Sequence, residues 1–190
     1  MTKITINLEN FTKNDQTKIL ELLSDNYTLS LTGKEKSEKT EKRMRDSIKE
    51  GRPSTTDYDF QSGSNRFFGE QKIELKQFDG EGKQPKIQQV KPELYDKIIV
   101  IAEYSDKALW YLLHTSKISK FAGKENKEKD KMALNVQHKG NLKEGQISYS
   151  NTFKKNAIFI TETHNLDYRK NNLGITDEKI IEILEFTKKH

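Results

Sequence analysis

The sequence predicts an α/β fold, a central β-sheet flanked by helices, on three observations. Residues Ile98–Ala102 form an unbroken apolar run, IIVIA, as in a strand covered on both faces. The stretch KIELK at 72–76 alternates charged and apolar side chains, as a strand with one buried face does. Near both ends, at 12–24 and 176–190, apolar residues recur at helical spacing behind a threonine suited to capping.

A chain of 190 residues is expected to form one domain, 1–190. Its hydrophobic fraction is 32% and its charged fraction 33%, so the core is modest and the surface large and polar. The net charge of +5 biases the chain towards polyanions. Most basic residues are lysines, which attract phosphate without reading sequence, and an AT-rich genome produces the same lysine abundance. The absence of cysteine excludes disulfide scaffolds, Cys-zinc sites and cysteine nucleophiles. With no apolar signal region and no run approaching a membrane span, a soluble, cytoplasmic protein without a membrane partner is expected.

Taken in order, ITINL near the N-terminus alternates as a short strand, and Thr12 caps a helix to about Ser24 with Ile19, Leu22 and Leu23 facing the core. Tyr27–Gly33 reads as a strand or an extended link. Lys34–Gly51 is highly charged, with acid–base pairs at helical spacing and a thin seam of Met44 and Ile48, and predicts a solvent-facing helix ended by Gly51. After the 52–78 stretch treated below, Gly80, Gly82 and Pro85 mark a loop. Gln88, Gln89 and Lys91 follow at a spacing that is not diagnostic. Asp96–Tyr104 is the central strand, and Ala108–Thr115 its neighbour across an SDK turn, with Trp110 in the core. Residues 116–150 form a polar, basic excursion. Within it Gln137, Lys139 and Asn141 offer donors and acceptors to base edges or phosphates, against the plainer reading of a polar hairpin. His138 has no second histidine at ligand spacing, so a zinc site is not supported. Lys154–Glu162 reads as a strand. Thr176 caps a last helix whose Ile180, Ile181, Ile183 and Leu184 face the core. There is no internal repeat, P-loop, GxSxG or dinucleotide fingerprint.

Chemistry concentrates between Arg52 and Phe78. DYDF opens this stretch with Asp57 and Asp59, a polar turn follows, and KIELK carries Glu74 and Lys76. If both ends are strands, Asp57 and Asp59 share one face, as do Glu74 and Lys76, with Ile73 and Leu75 opposite. A hairpin-like unit of this kind brings one or two acids beside an acid and a lysine. Facing acids collect a hard divalent cation through oxygen ligands, and a lysine beside it orients a water or steadies developing charge. Such parts suit metal-assisted phosphodiester cleavage. Asp57 competes with Asp59, which is favoured by its apolar neighbours. Glu70 and Lys72 compete with Glu74 and Lys76, but Gln71 between them would place an amide on the buried face. A surface hairpin with solvated charges remains the bland alternative.

Asp59, Glu74 and Lys76, with the apolar Leu75 between the last two, resemble the PD-(D/E)xK nuclease superfamily, to which most type II restriction endonucleases belong. Tyr58 stands where the family's proline precedes the acid. The resemblance implies a central mixed sheet (a restriction-endonuclease-like fold) and Mg²⁺ held by Asp59, Glu74 and the Leu75 carbonyl, with Lys76 positioning the hydrolytic water. It implies site-specific cutting of double-stranded DNA by a homodimer; the candidate DNA contacts, Arg52, Gln137, Lys139 and Asn141, rest on their own donor and acceptor chemistry. In the family an N-terminal helix sometimes adds an acid, for which Glu21 is a weak candidate. A repair, structure-specific or nicking nuclease of the same superfamily, and a noncatalytic nucleic-acid-binding domain, are the alternatives.

Overall fold

The computed structural model describes residues 9–26, 32–53, 59–60, 67–83, 85–119, 134–135, 137–138, 145–167 and 172–190, with backbone alone at 20–26, 119, 134–135 and 137–138. The expectations for ITINL, Tyr27–Leu31, Asp57, Lys139 and Asn141 fall outside these residues, as do the side chains of Glu21 and Gln137.

The chain divides into two units, Met1–Thr32 and Gly33–His190. The first contains helix α1, Lys13–Asn26. Its start is capped as the sequence predicts: the Thr12 hydroxyl oxygen accepts from the Asp15 amide at 3.2 Å while the hydroxyl donates to the Asp15 carboxylate at 2.6 Å. That reciprocal pair satisfies a backbone donor that the first turn leaves without a helical partner.

The second unit is mixed α/β. Helix α2, Gly33–Ser47, is followed by β1, Ile73–Asp79, then β2, Lys86–Val90, β3, Lys97–Glu103, and β4, Lys107–His114. Two-residue strands β5, Ile118–Ser119, β6, Leu134–Asn135, and β7, Gln137–His138, precede β8, Gly145–Ser148. Helix α3, Asn151–Asn156, leads into β9, Ile158–His164, and α4, Asp177–Lys189, closes the chain.

A four-stranded sheet runs β1-β3-β4-β9. β1 is parallel to β3, while β3–β4 and β4–β9 are antiparallel, so the sheet is mixed and β1 forms one of its edges. β2 does not join it. It pairs with β8 in a second sheet, ordered β2-β8-β7, that covers one face of the first. Ile87, Val90 and Ile147 from that layer pack on Ile98, Val100, Tyr111 and Leu113. The other face carries Ile99 and Ile101 beside Leu112 and Trp110, and the Trp110 indole donates to Thr163 at 3.0 Å. On this face Lys97, 6% exposed, donates to the carbonyls of Thr187 and Lys188 at 2.8 and 3.3 Å, closing the C-terminal end of α4. The continuous apolar run of β3 is thus explained by cover on both sides.

Three expectations change. The charged helix stops at Ser47 and is not simply solvent-facing: Thr40, Glu41, Met44 and Arg45 are buried. The strand expected from Lys154 begins only at Ile158, because Ser150 caps the short helix α3 first. β9 is an edge strand with Ile158 and Phe159 exposed, unlike the buried β3. Ile180, Ile183 and Leu184 of α4 are buried as expected, and the Thr176 hydroxyl accepts from the Lys179 amide at its start.

Candidate active site

The Asp59–Phe60 dipeptide lies antiparallel along the outer edge of β1. Phe60 and Ile73 exchange backbone hydrogen bonds of 3.0 and 2.9 Å, and both side chains are fully buried. This anchor places Asp59 against the next outward-facing residue, whose amide it captures: Leu75 N–H donates to Asp59 Oδ2 at 2.8 Å. A strand residue turns its N–H and C=O to the same edge, so the Leu75 carbonyl also faces outward, beside Asp59. Two residues apart on β1, Glu74 and Lys76 form an ion pair, their side chains 11% and 16% exposed. The structure therefore brings Asp59, Glu74, Leu75 and Lys76 together at one edge.

It does not bring the competing pair there. Glu70 sits exposed in the turn before β1, and the Lys72 amide is taken by the Asp96 carboxylate at 2.8 Å. Neither residue lines the cleft at the β1 edge, whereas Arg52 does.

The sequence reading missed Glu41. Helix α2 packs on β1 through a polar relay: Thr40 donates to Gln77 at 2.9 Å, Gln77 donates to Glu103 at 2.9 Å, and Lys36 pairs with the same Glu103. Arg43 and Ser47 bind Asp177 at the start of α4. With Met44 buried between these tethers, Glu41 is fixed beside Asp59, 9% exposed, with Arg45 at 3.6 Å. A helix gains about 1.5–3 kcal/mol from burying a Met, whereas each buried ion costs several. Stability alone does not explain why Glu41 faces inward. The signal was present: Glu41 precedes Met44 by three residues and Ile48 by seven, on the seam already identified.

Crowding acids out of water raises their pKa values. Burial, then the Asp59 charge, pushes Glu41 from 4.5 up to about 7. Burial, then Glu74, pushes Asp59 from 3.8 up to about 6, against the opposing Leu75 amide. Glu74 is also raised by burial, with Lys76 opposing. Such acids gain from a shared proton or a cation.

These residues line a cleft of about 700 Å³ that also takes in Arg52, Lys86, Gln88 and Gln89. Among the described residues, no group of three or more His, Cys, Asp or Glu converges as a finished metal cage. Mg²⁺ does not require one: it retains several waters and binds through one or two carboxylates plus substrate phosphates. An all-oxygen donor set of raised-pKa carboxylates and an outward carbonyl fits that ion. No helix among the described residues is long and apolar enough to cross a membrane. Comparison with protein-family models, curated proteins and solved structures gives no match.

Proposed function

We propose that this protein is a Mg²⁺-dependent endonuclease that cuts double-stranded DNA at a short site, with the fold and chemistry of a restriction-endonuclease-like PD-(D/E)xK enzyme. One observation carries the reading: Asp59, anchored to the β1 edge by Phe60, accepts the Leu75 amide beside the Glu74–Lys76 pair. Asp59, Glu74 and the Leu75 carbonyl would hold the ion, with Glu41 as a further acid. Bound there, Mg²⁺ supplies electrostatic stabilisation to the scissile phosphate and the leaving oxygen. Lys76, steered by Glu74, holds the attacking water and offsets charge as it develops. Arg52 and Lys86 line the same cleft and would draw in the phosphate backbone. On this reading the enzyme would act as a homodimer on a palindromic site, with two-fold symmetry setting one cleft against each strand.

The test is incubation of the full chain with unmethylated plasmid and phage DNA, in Mg²⁺ or EDTA, followed by end sequencing. Discrete Mg²⁺-dependent fragments, lost in Asp59→Ala, Glu74→Ala and Lys76→Ala proteins that remain folded, are expected. Smearing would transfer the proposal to a nonspecific or structure-specific nuclease. Cleavage that survives all three substitutions would overturn the site.

A further inference from the structure

Strand β2 departs from strand geometry where it meets the cleft. Side chains of a regular strand alternate faces, but β2 has Ile87 buried, Gln88 and Gln89 both exposed, and Val90 buried. The break coincides with a shift in register against β8 between Ile87 and Val90, a bulge. It also coincides with a φ of 56° at Gln89, in the left-handed region that costs a side-chain-bearing residue energy. Among the described residues two other non-glycine positions have positive φ, and local structure accounts for both. Lys49, at 54°, follows α2, where the Glu50 amide returns to the Arg45 carbonyl at 3.0 Å. Asn165, at 56°, is a residue type that tolerates the conformation. Gln89 lies inside a strand and is neither.

The result of the distortion is that two consecutive glutamines, both exposed, line the cleft that holds Asp59, Glu74 and Lys76. Neither side chain has a hydrogen-bond partner among the described residues. Strain of this kind persists where the surrounding fold imposes it, and it collects at functional sites. Here Ile87 and Val90, 1% and 0% exposed, pin the bulge from both ends.

We propose that Gln88 and Gln89 are specificity-determining residues that read an adenine in the major groove, with the β2 bulge as the device that presents them. A carboxamide has one acceptor and a donor pair, which match the adenine N6 donor and N7 acceptor in a bidentate pair. Guanine offers two acceptors at the same edge and lacks that match. The proposal rests on the reading of this cleft as a DNA site, but not on cleavage.

Gln89→Gly provides the decisive variant, because glycine adopts a positive φ without strain while the amide is removed. Wild-type, Gln88→Ala and Gln89→Gly proteins are each used to enrich a randomised duplex DNA library in Ca²⁺, and their melting temperatures are compared. The expected wild-type result is a motif containing A·T pairs. Gln89→Gly should melt higher than wild type, yet lose selection at one A·T pair per half-site by about 10–100-fold, a range in keeping with one bidentate contact. Gln88→Ala should relax the same or the adjacent pair. A higher melting temperature with an unchanged motif would overturn the proposal, as would a wild-type protein that enriches no motif. Cleavage is scored separately in Mg²⁺. A motif bound without cleavage would refute the nuclease reading and leave base reading by the glutamines standing.

Discussion

Substituting Glu41 by Gln should make the metal-free protein more stable, although it removes one member of an ion pair. In the folded state Glu41 is pushed from 4.5 up to about 7 by burial and by Asp59. Keeping it ionised at about pH 8 therefore costs about 3 kcal/mol, at 1.36 kcal/mol per pH unit. The attraction of Arg45 already opposes that rise and does not need to be subtracted again. Gln retains the length to accept from Ser37 and can donate to Asp59, so most of the cost should be recovered. A gain of roughly 2–3 kcal/mol corresponds to a Tm rise of about 5–10 °C for a chain of this size. Thermal denaturation in EDTA at about pH 8 measures it. At about pH 4 the gain should vanish, because wild-type Glu41 is then protonated in both folded and unfolded chains. With millimolar Mg²⁺ the order should reverse if Glu41 helps to hold the ion, because the wild type gains binding energy that the variant lacks. An equal Tm for both proteins in EDTA at about pH 8, or a gain that persists undiminished at about pH 4, would refute the argument that buried charge at Glu41 is costly.

Other consequences follow from the same geometry. Both Asp59 and Glu41 have folded-state pKa values above their ordinary ones, so their contribution to stability is complete at low pH and is lost as pH rises from about 4 to about 7. Denaturation in EDTA should show that decline, and added Mg²⁺ should counter it at about pH 8 far more than at about pH 5. Lys76→Ala should reduce the cleavage rate about 10²–10⁴-fold while circular dichroism remains native, as expected for a lost water-positioning group. Lys97→Met should destabilise by about 1–3 kcal/mol, because carbonyls of Thr187 and Lys188 lose a charged donor, with Mg²⁺-dependent cleavage retained below the lowered Tm.

The parts of the fold that the sequence made legible are those whose burial follows from local pattern. β3 is readable because cover on both faces demands a continuous apolar run, and α4 because cap, periodicity and charged ends agree. The Asp59–Glu74–Lys76 grouping is readable for the same reason: a two-residue strand period places Glu74 and Lys76 on one face, and Phe60 anchors the acid opposite. For Glu41 the sequence shows the helical seam it shares with Met44 and Ile48, but not its burial, which depends on partners far along the chain. Thr40, Lys36 and Arg43 find Gln77, Glu103 and Asp177, and a pairwise reading of α2 sees only i,i+4 charges that look solvated. The bulge in β2 was hidden more completely. KIQQV has no glycine to mark a positive φ, and only the pairing with β8 reveals that Gln89 is forced there.

The position of the site follows from the sheet order. An edge strand exposes a row of backbone donors and acceptors, a hazard that proteins usually cover or blunt. Here the Asp59–Phe60 segment covers the start of β1, with backbone bonds at Ile73 and then a side-chain carboxylate at Leu75. That change of partner matters. A second backbone segment at Leu75 would have satisfied both its N–H and its C=O and closed the edge. A carboxylate can only accept, so it satisfies the N–H and leaves the carbonyl without a backbone donor from that segment. The edge is therefore protected against strand pairing by the group that, on the proposed reading, would hold the cation. Asp59→Asn tests the coupling, since it keeps a carbonyl acceptor for Leu75 but removes the charge. It should retain the fold, lose the decline in stability between about pH 4 and 6 attributable to Asp59, and lose Mg²⁺-induced stabilisation. If the Asn protein is stabilised by Mg²⁺ as strongly as wild type, the ion is not held at the β1 edge.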